Sequence, residues 1–203
     1  MAVFCLSLPW AGVSLAGASS PSLLVYPFAE YFQWEESNIR VNESGMLYGL
    51  GAEGAVPLAH KTKVRAELDL FAGEVDYDGS RLDLRPFTSK TLYLGLRTQA
   101  DVSMNVLPSE TARLETFLGL GGRWWKRRLD NTDEQLYGYD EHWLSICAVA
   151  GLRGSMPVKK GWTLFAGLSL LMPFYNRETV FLRVTKDSSS FTLTPGNELS
   201  PCL

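Results

Sequence analysis

The sequence predicts an all-β fold, an antiparallel up-and-down barrel whose strands cross a membrane. Three observations predict it. Apolar and polar residues alternate with period two over long segments. The connections between those segments alternate between short and long. The polar face mixes charges of both signs with glycine. The 203 residues are 46% hydrophobic and 20% charged, with net charge -3, a balance that fits a folded domain and points to no nucleic-acid partner. No apolar run reaches the about 20 residues that a membrane helix needs. Only helices and closed barrels satisfy every backbone group in lipid, so a membrane role would require strands.

The N-terminus differs in character from the rest. No Lys, Arg, Asp or Glu precedes Glu30, and residues 2–16 are mostly apolar, ending in Ala16-Gly17-Ala18. This pattern reads as a signal-peptide core with a small-residue cleavage site after Ala18. It divides the chain into a signal, residues 1–18, and a barrel domain, residues 19–203. The usual basic start is missing, which fits an origin upstream of Met1. The competing reading is a first strand or helix, which Pro9, Gly12 and Gly17 would interrupt. Cys5 would leave with the signal, and Cys147 and Cys202 show no metal-ligand spacing.

Strands are expected at about residues 24–35, 45–57, 62–75, 90–105, 111–127, 142–156 and 161–175. They exceed the about 5–6 residues of ordinary strands and suit a tilted membrane crossing. The faces separate in most of them. Val64, Ala66, Leu68 and Leu70 oppose Arg65, Glu67 and Asp69. Leu92, Leu94, Leu96, Ala100 and Val102 oppose Arg97, Gln99 and Asp101. Leu114, Leu118 and Leu120 oppose Glu115, Arg123 and Arg127. Leu144, Ile146, Ala148 and Leu152 oppose Ser145 and Arg153, and Leu164, Ala166, Leu168 and Leu170 oppose Gly167 and Ser169. The first strand is aromatic on both faces, and its orientation stays open.

Alternation alone also fits a soluble sandwich or lipocalin. The connections separate the cases. Those at 57–61, 107–110 and 157–160 are short; those at 36–44, 76–89, 129–141 and 176–190 are longer and polar. Strict alternation is the rule for outer-membrane barrels, with periplasmic turns and extracellular loops. The polar face agrees. Glu53, Arg65, Glu67, Asp69, Arg97, Asp101, Glu115, Arg123 and Arg153 are expected to form a lumen charge network. Cross-lumen pairs such as Arg97 or Arg123 with Glu67 or Glu115 would satisfy the buried charges. Interleaved glycines, among them Gly49, Gly51, Gly95, Gly119 and Gly121, suit a narrow lumen. Trp34, Tyr48, Tyr93, Trp124, Trp125, Trp143, Trp162, Phe174 and Tyr175 lie near strand ends, where interfacial girdles belong.

The stretches Tyr26-Pro27-Phe28-Ala29-Glu30-Tyr31-Phe32, Leu47-Tyr48-Gly49-Leu50-Gly51, Gly73-Glu74-Val75-Asp76-Tyr77-Asp78-Gly79 and Leu118-Gly119-Leu120-Gly121-Gly122-Arg123-Trp124-Trp125 carry a resemblance. About residues 24–200 resemble the small outer-membrane barrel proteins of Gram-negative bacteria, including porin-like and opacity-like barrel domains. The resemblance rests on pattern and implies location and architecture more firmly than activity. It implies eight to ten strands in the complete form, of which about seven to eight are present here. An eighth strand is expected to begin near Phe191 or Glu198. The C-terminus lacks the aromatic end that such barrels carry, and Pro201 suits no strand interior. The resemblance therefore implies a barrel missing its last strands, with edges poorly sealed. Adding the strands of a full-length relative should restore a heat-modifiable band in SDS gels.

Two constellations could carry chemistry. Asp76 and Asp78 with Asp140 and His142 resemble the His–Asp arrangement of omptin-type outer-membrane proteases, in which a His–Asp pair activates water. Their parity matches the lipid-facing leucines, so they should point outward unless a bulge intervenes. His142 and Ser145 resemble a lipid-A deacylase pair, but residues three apart on a strand face opposite ways. No cofactor motif or metal cluster stands out in the sequence. Lys126-Arg127-Arg128 points to contact with anionic lipopolysaccharide at the outer rim. The expected function is a non-enzymatic outer-membrane barrel with a structural, surface-interaction or minor-channel role. Its partners would be outer-membrane lipid, lipopolysaccharide and the barrel-assembly machinery. The alternative is a rim hydrolase built on Asp76, Asp78, Asp140 and His142.

Overall fold

A computed structural model describes residues 2–9, 13–14, 21–36, 41–59, 61–80, 86–108, 112–129, 138–159, 162–182, 190–194 and 200–202. The described residues form strands joined in one antiparallel sheet. In chain order these are β1 (Ala2–Pro9), β2 (Val13–Ser14), β3 (Ser22–Glu36), β4 (Val41–Ala59), β5 (Thr62–Ser80), β6 (Pro86–Pro108), β7 (Arg113–Leu129), β8 (Tyr139–Lys159), β9 (Trp162–Leu182), β10 (Ser190–Leu193) and β11 (Ser200–Cys202). The seven long strands β3 to β9 pair in sequence order, each with the next. β1 and β2 share the free side of β3, and β10 and β11 share the free side of β9. The all-β, up-and-down class is as the alternation required.

The long strands outrun the segments expected from hydropathy. β5 continues to Ser80, β6 starts at Pro86, and β9 reaches Leu182. The expected spans stopped where outward positions turn polar, at Asp76, Lys90 and Arg177. The ladder continues past that point because the inward positions still pack. Tyr77 and Val75 are buried there. β9 also carries a bulge: Ile146 pairs Tyr175 while Cys147 pairs Pro173, leaving Phe174 as the extra residue. Beyond it, Asn176, Glu178 and Val180 take the inward positions. The late strand expected near Phe191 or Glu198 is present in two short pieces, β10 and β11. Pro201 sits in β11, on the rim of the sheet, where a missing N–H is tolerated. Residues 2–9, within the stretch with signal character, run antiparallel to residues 28–35.

The sheet rolls up. β3 and β8 are five lateral steps apart, about 24 Å on a flat sheet at ~4.8 Å per strand. Yet the rings of Trp34 on β3 and Trp143 on β8 meet edge-on with centroids 5.8 Å apart. Arg127 on β7 likewise reaches Glu43 on β4. The concave face therefore curls around a shared interior, which odd-numbered residues of β4 to β8 line. β1 and β11 approach one another across the seam. Among the described residues no hydrogen-bonded register joins them, so the sheet is rolled but not closed.

β3, left without orientation by its aromatic composition, places Tyr26, Phe28, Glu30, Phe32 and Trp34 inward and Tyr31 outward. Phe28, Phe32 and Trp34 join Leu47, Phe71, Val75 and Tyr93 in the larger core cluster. A smaller one contains Phe117, Cys147 and Val149. Inward glycines make room for these rings. A Cβ on Gly119 would lie 2.1 Å from the Ala100 carbonyl oxygen and 2.7 Å from Asp101 Cα, both on the neighbouring strand. Because backbone cannot step aside, Gly119→Val should cost about 1–3 kcal/mol by overpacking. A urea titration of the refolded protein checks this, and an unchanged midpoint would show that the interior is looser than described.

Candidate functional site: the charged interior

The interior is where alternation placed the mixed charges, and side chains occupy it in layers. Nearest the short turns, Arg65 is the hub. Its Nε donates to Asp101 Oδ2 at 2.9 Å, and its Nη1 donates to Glu53 Oε2 at 2.8 Å and Glu67 Oε2 at 2.7 Å. Gln99 Nε2 also donates to Asp101 Oδ2, at 2.8 Å. Arg153 Nη2 lies 3.5 Å from that oxygen and stacks its guanidinium over Phe117 at 4.4 Å. Lys63 pairs with Glu115 at 2.9 Å. These residues come from β4, β5, β6, β7 and β8, so one ionic layer ties most of the wall together. A buried charge without partners costs several kcal/mol, and bidentate guanidinium contacts offset that cost best.

The next layer joins β3 to β5 and β6. Arg97 Nη1 donates to Glu30 Oε2 at 2.6 Å, and its Nε lies 3.6 Å from Asp69 Oδ2. The same guanidinium covers the rings of Phe28 and Phe71. The Tyr26 hydroxyl lies 2.7 Å from Glu67 and 2.9 Å from Asp69 and donates to one of them at a time. Above this layer comes the aromatic cluster of Phe28, Phe71, Phe32 and Tyr93.

A second ionic centre lies beyond the aromatics, toward the long connections. Arg127 is 4% exposed and Glu43 is fully buried. Arg127 Nη2 donates to Glu43 Oε1 at 2.5 Å, and Nη1 donates to Glu141 Oε1 at 2.9 Å and to the Tyr139 hydroxyl at 3.2 Å. Thr91 Oγ1 donates to Glu43 Oε1 at 3.0 Å, and the Tyr93 hydroxyl donates to Glu43 Oε2. Trp34, Tyr77 and Tyr139 surround the guanidinium with ring faces. Trp143 Nε1 donates to Glu141 Oε2 at 3.2 Å and stacks on Trp125. Among the described residues the aromatic cluster and the Arg127 centre are buried, whereas the side chains of Glu53, Glu67, Arg97 and Arg153 stay 20–26% exposed.

The positions expected in the lumen network do face inward, but several pairings differ. Arg97 takes Glu30 and Asp69 in place of Glu67 or Glu115. Arg123 lies over Phe71 at 5.7 Å and Trp125 at 4.6 Å, with no ion pair among the described residues. Which charge meets which depends on the shear of the rolled sheet, and alternation does not encode that. Arg127, which alternation put on the polar face with Glu115 and Arg123 and the basic triplet put at the rim against lipopolysaccharide, points inward, as its parity with Arg123 and Trp125 requires. The girdle also needs correcting. Trp34, Tyr93, Trp125 and Trp143 are interior, while Tyr48, Trp124, Phe174 and Tyr175 lie on the outer face. The Trp162 side chain lies outside the described residues. As members of the interior network, Glu30, Glu43, Glu141 and Tyr139 escaped the sequence reading, and Tyr93 was read only as a girdle residue. Inward parity was the signal for Glu43, Tyr93 and Glu141.

Asp76 and Asp78 are exposed on the outer face of β5. Asp140 pairs with Lys126 at 2.8 Å on the outer face of β8 and β7. The His142 ring packs against Trp124 and Phe181. β6 and β7 separate the two acidic segments, so no crevice brings them together. Ser145 faces inward, 2.6 Å from Asn176 Oδ1, on the side opposite His142. Among the described residues no group of His, Cys, Asp or Glu has the arrangement of a metal site. No protein-family model, no curated protein and no solved structure matches the chain.

Proposed function

We propose that the chain is an outer-membrane β-barrel protein, resembling the porin-like and opacity-like barrels, that holds its polar loops at the cell surface on a plugged, non-catalytic scaffold. One observation carries this reading: the outer face is an apolar band with a sharp polar border. On β7, outward residues run apolar or uncharged from Leu114 through Leu118 and Leu120 to Trp124, then change to Lys126 and Arg128. Neighbouring strands change at matching places: Gln33 on β3, Ser44 on β4, Glu74 on β5, Lys90 on β6, His142 on β8 and Arg177 on β9. Ten residue steps at ~3.4 Å, tilted by about 40°, span about 26 Å, close to the ~25 Å apolar height of membrane barrels. Leu50, Leu118 and Leu164 are each about 60% exposed, a poor arrangement in water and a suitable one in lipid.

The buried aromatic and Arg127 layers across the interior favour a structural or surface-interaction role over a channel. On this reading the signal-like residues 1–18 direct export. Outer-membrane lipid, lipopolysaccharide and the assembly machinery are then the partners, the last during insertion. Fractionation of the host tests the proposal. The protein should stay with outer membranes through alkaline carbonate washing and dissolve only in detergent. Recovery as a detergent-free periplasmic monomer would overturn it.

A further inference from the structure

The two short strands on the free side of β9 share one register. Leu193 of β10 pairs with Glu178, and Ser200 of β11, seven residues on, pairs with Leu171, seven residues back. The register of β11 therefore continues that of β10 without offset, as the two ends of one strand would. Among the described residues β10 pairs on one side only, with β9. Phe191 and Leu193 show the consequence. They share a face with inward Val180 and Glu178, yet they are 46% and 48% exposed where Val180 is 6% exposed.

The other end of the sheet offers the missing neighbour. β1 pairs with residues 28–35 of β3, and β2 pairs with Val25 and Leu24. These two strands cover the edge of β3 on the side of the seam where β11 approaches. Direction matters here. Six antiparallel steps lead from β3 to β9, so those two strands run the same way. β1, β10 and β11 all run opposite to them. With β1 and β2 in place the roll has nine strand positions, and its seam would have to be parallel. Without them it has eight, and the seam is antiparallel. Bacterial single-chain barrels are antiparallel with an even count.

We propose that β1 and β2 are placeholders: once residues 1–18 are cut away, β10 and β11 take over the free edge of β3 and close the barrel. The proposal rests on the export and membrane reading above. Its driving force lies in the backbone, because an open edge in hydrocarbon leaves N–H and C=O groups unpaired. Closure also covers Phe191 and Leu193. The occupant is the chain's own C-terminal segment, which has the right direction, lies beside the seam and carries half-exposed apolar residues on its inward face. The added strands of a full-length relative are then not required.

The test starts from the full chain with Cys5, Cys147 and Cys202 replaced by alanine and a specific protease site inserted after Ala18. Pro201→Cys is combined in turn with Pro27→Cys, Ala29→Cys, Tyr31→Cys and Gln33→Cys. Each protein is left whole or cut before refolding into dioleoyl phosphatidylcholine vesicles, and then oxidised. The cut protein should form a disulfide at one or two neighbouring β3 positions and should run as a heat-modifiable band in cold SDS gels. The whole protein should do neither, while Leu6→Cys with Tyr31→Cys, partners in the β1–β3 register, should cross-link in it. Absence of a Pro201→Cys disulfide from the cut protein, its equal formation in both samples, or failure of the cut protein to fold would overturn the exchange. Flotation separates the two ideas. Cut protein that floats without cross-linking defeats only the exchange, and failure of both samples to float defeats the membrane reading and the exchange with it.

Discussion

Arg127→Ala should destabilise the refolded protein by about 3–5 kcal/mol, the cost of leaving buried charge without its partner. The guanidinium holds Glu43 and Glu141 together and caps the Tyr139 hydroxyl. Without it, two carboxylates face each other across an interior that water enters poorly. Glu43 keeps the Thr91 and Tyr93 hydroxyls as donors, and these are too weak to replace a cation. The contact also spans β4, β7 and β8, so its loss should loosen the roll of the sheet as well as one layer. Arg127→Met combined with Glu43→Gln and Glu141→Gln should recover part of the loss, because removing every charge removes the desolvation problem. Equilibrium urea titrations in lipid vesicles give both numbers. A loss under about 1 kcal/mol for Arg127→Ala would mean that water reaches Glu43 and that the interior is not packed as described.

A charge placed on the outer face should be nearly as costly, and its cost should depend on depth. Leu118 is 66% exposed and lies near the middle of the apolar band on β7. Leu118→Arg should cost about 2–4 kcal/mol in a bilayer. Leu94→Arg should cost less, since Leu94 pairs with Lys126 at the polar border. Gln99→Arg enters the interior beside Asp101 and opposite Glu67 and should cost under about half the Leu118 value. The same titration decides the order. Equal losses at all three positions would remove the distinction between a lipid face and an interior face.

Much of the fold was legible because a strand's period is two. Arg65, Glu67 and Asp69 must share a face if Val64, Leu68 and Leu70 share the other, whatever the sheet does next. β3 was illegible for the same reason: aromatics occupy both of its parities, and only contact with Phe71 and Tyr93 decides that Phe28 and Phe32 go inside. Strand ends were set too short because hydropathy follows the outward residues, while pairing follows the backbone and the inward ones. The members of the interior network were mostly legible and their partners were not. Arg97 meets Glu30 rather than Glu67 because of how far β3 shifts against β6 when the sheet rolls. Arg127 drew two readings, polar face by parity and rim patch by its neighbours, and only the first holds. Lys126 and Arg128 do face outward, so the basic triplet is a surface patch of two residues with the third turned inside.

The central claim is that one face of this sheet meets lipid and the other is packed. A parity scan along β6 tests it most directly. Cys5, Cys147 and Cys202 would be replaced by alanine, and single cysteines placed one at a time from Thr91 to Met104 would carry spin labels in vesicles. Oxygen concentrates in the bilayer, and a charged nickel chelate stays in water. Labels at Leu92, Leu94, Leu96, Ala100 and Val102 should be accessible to oxygen and protected from nickel. Labels at Tyr93, Arg97, Asp101 and Ser103 should be shielded from both. Accessibility to nickel along the whole strand, or oxygen accessibility without period two, would contradict the account.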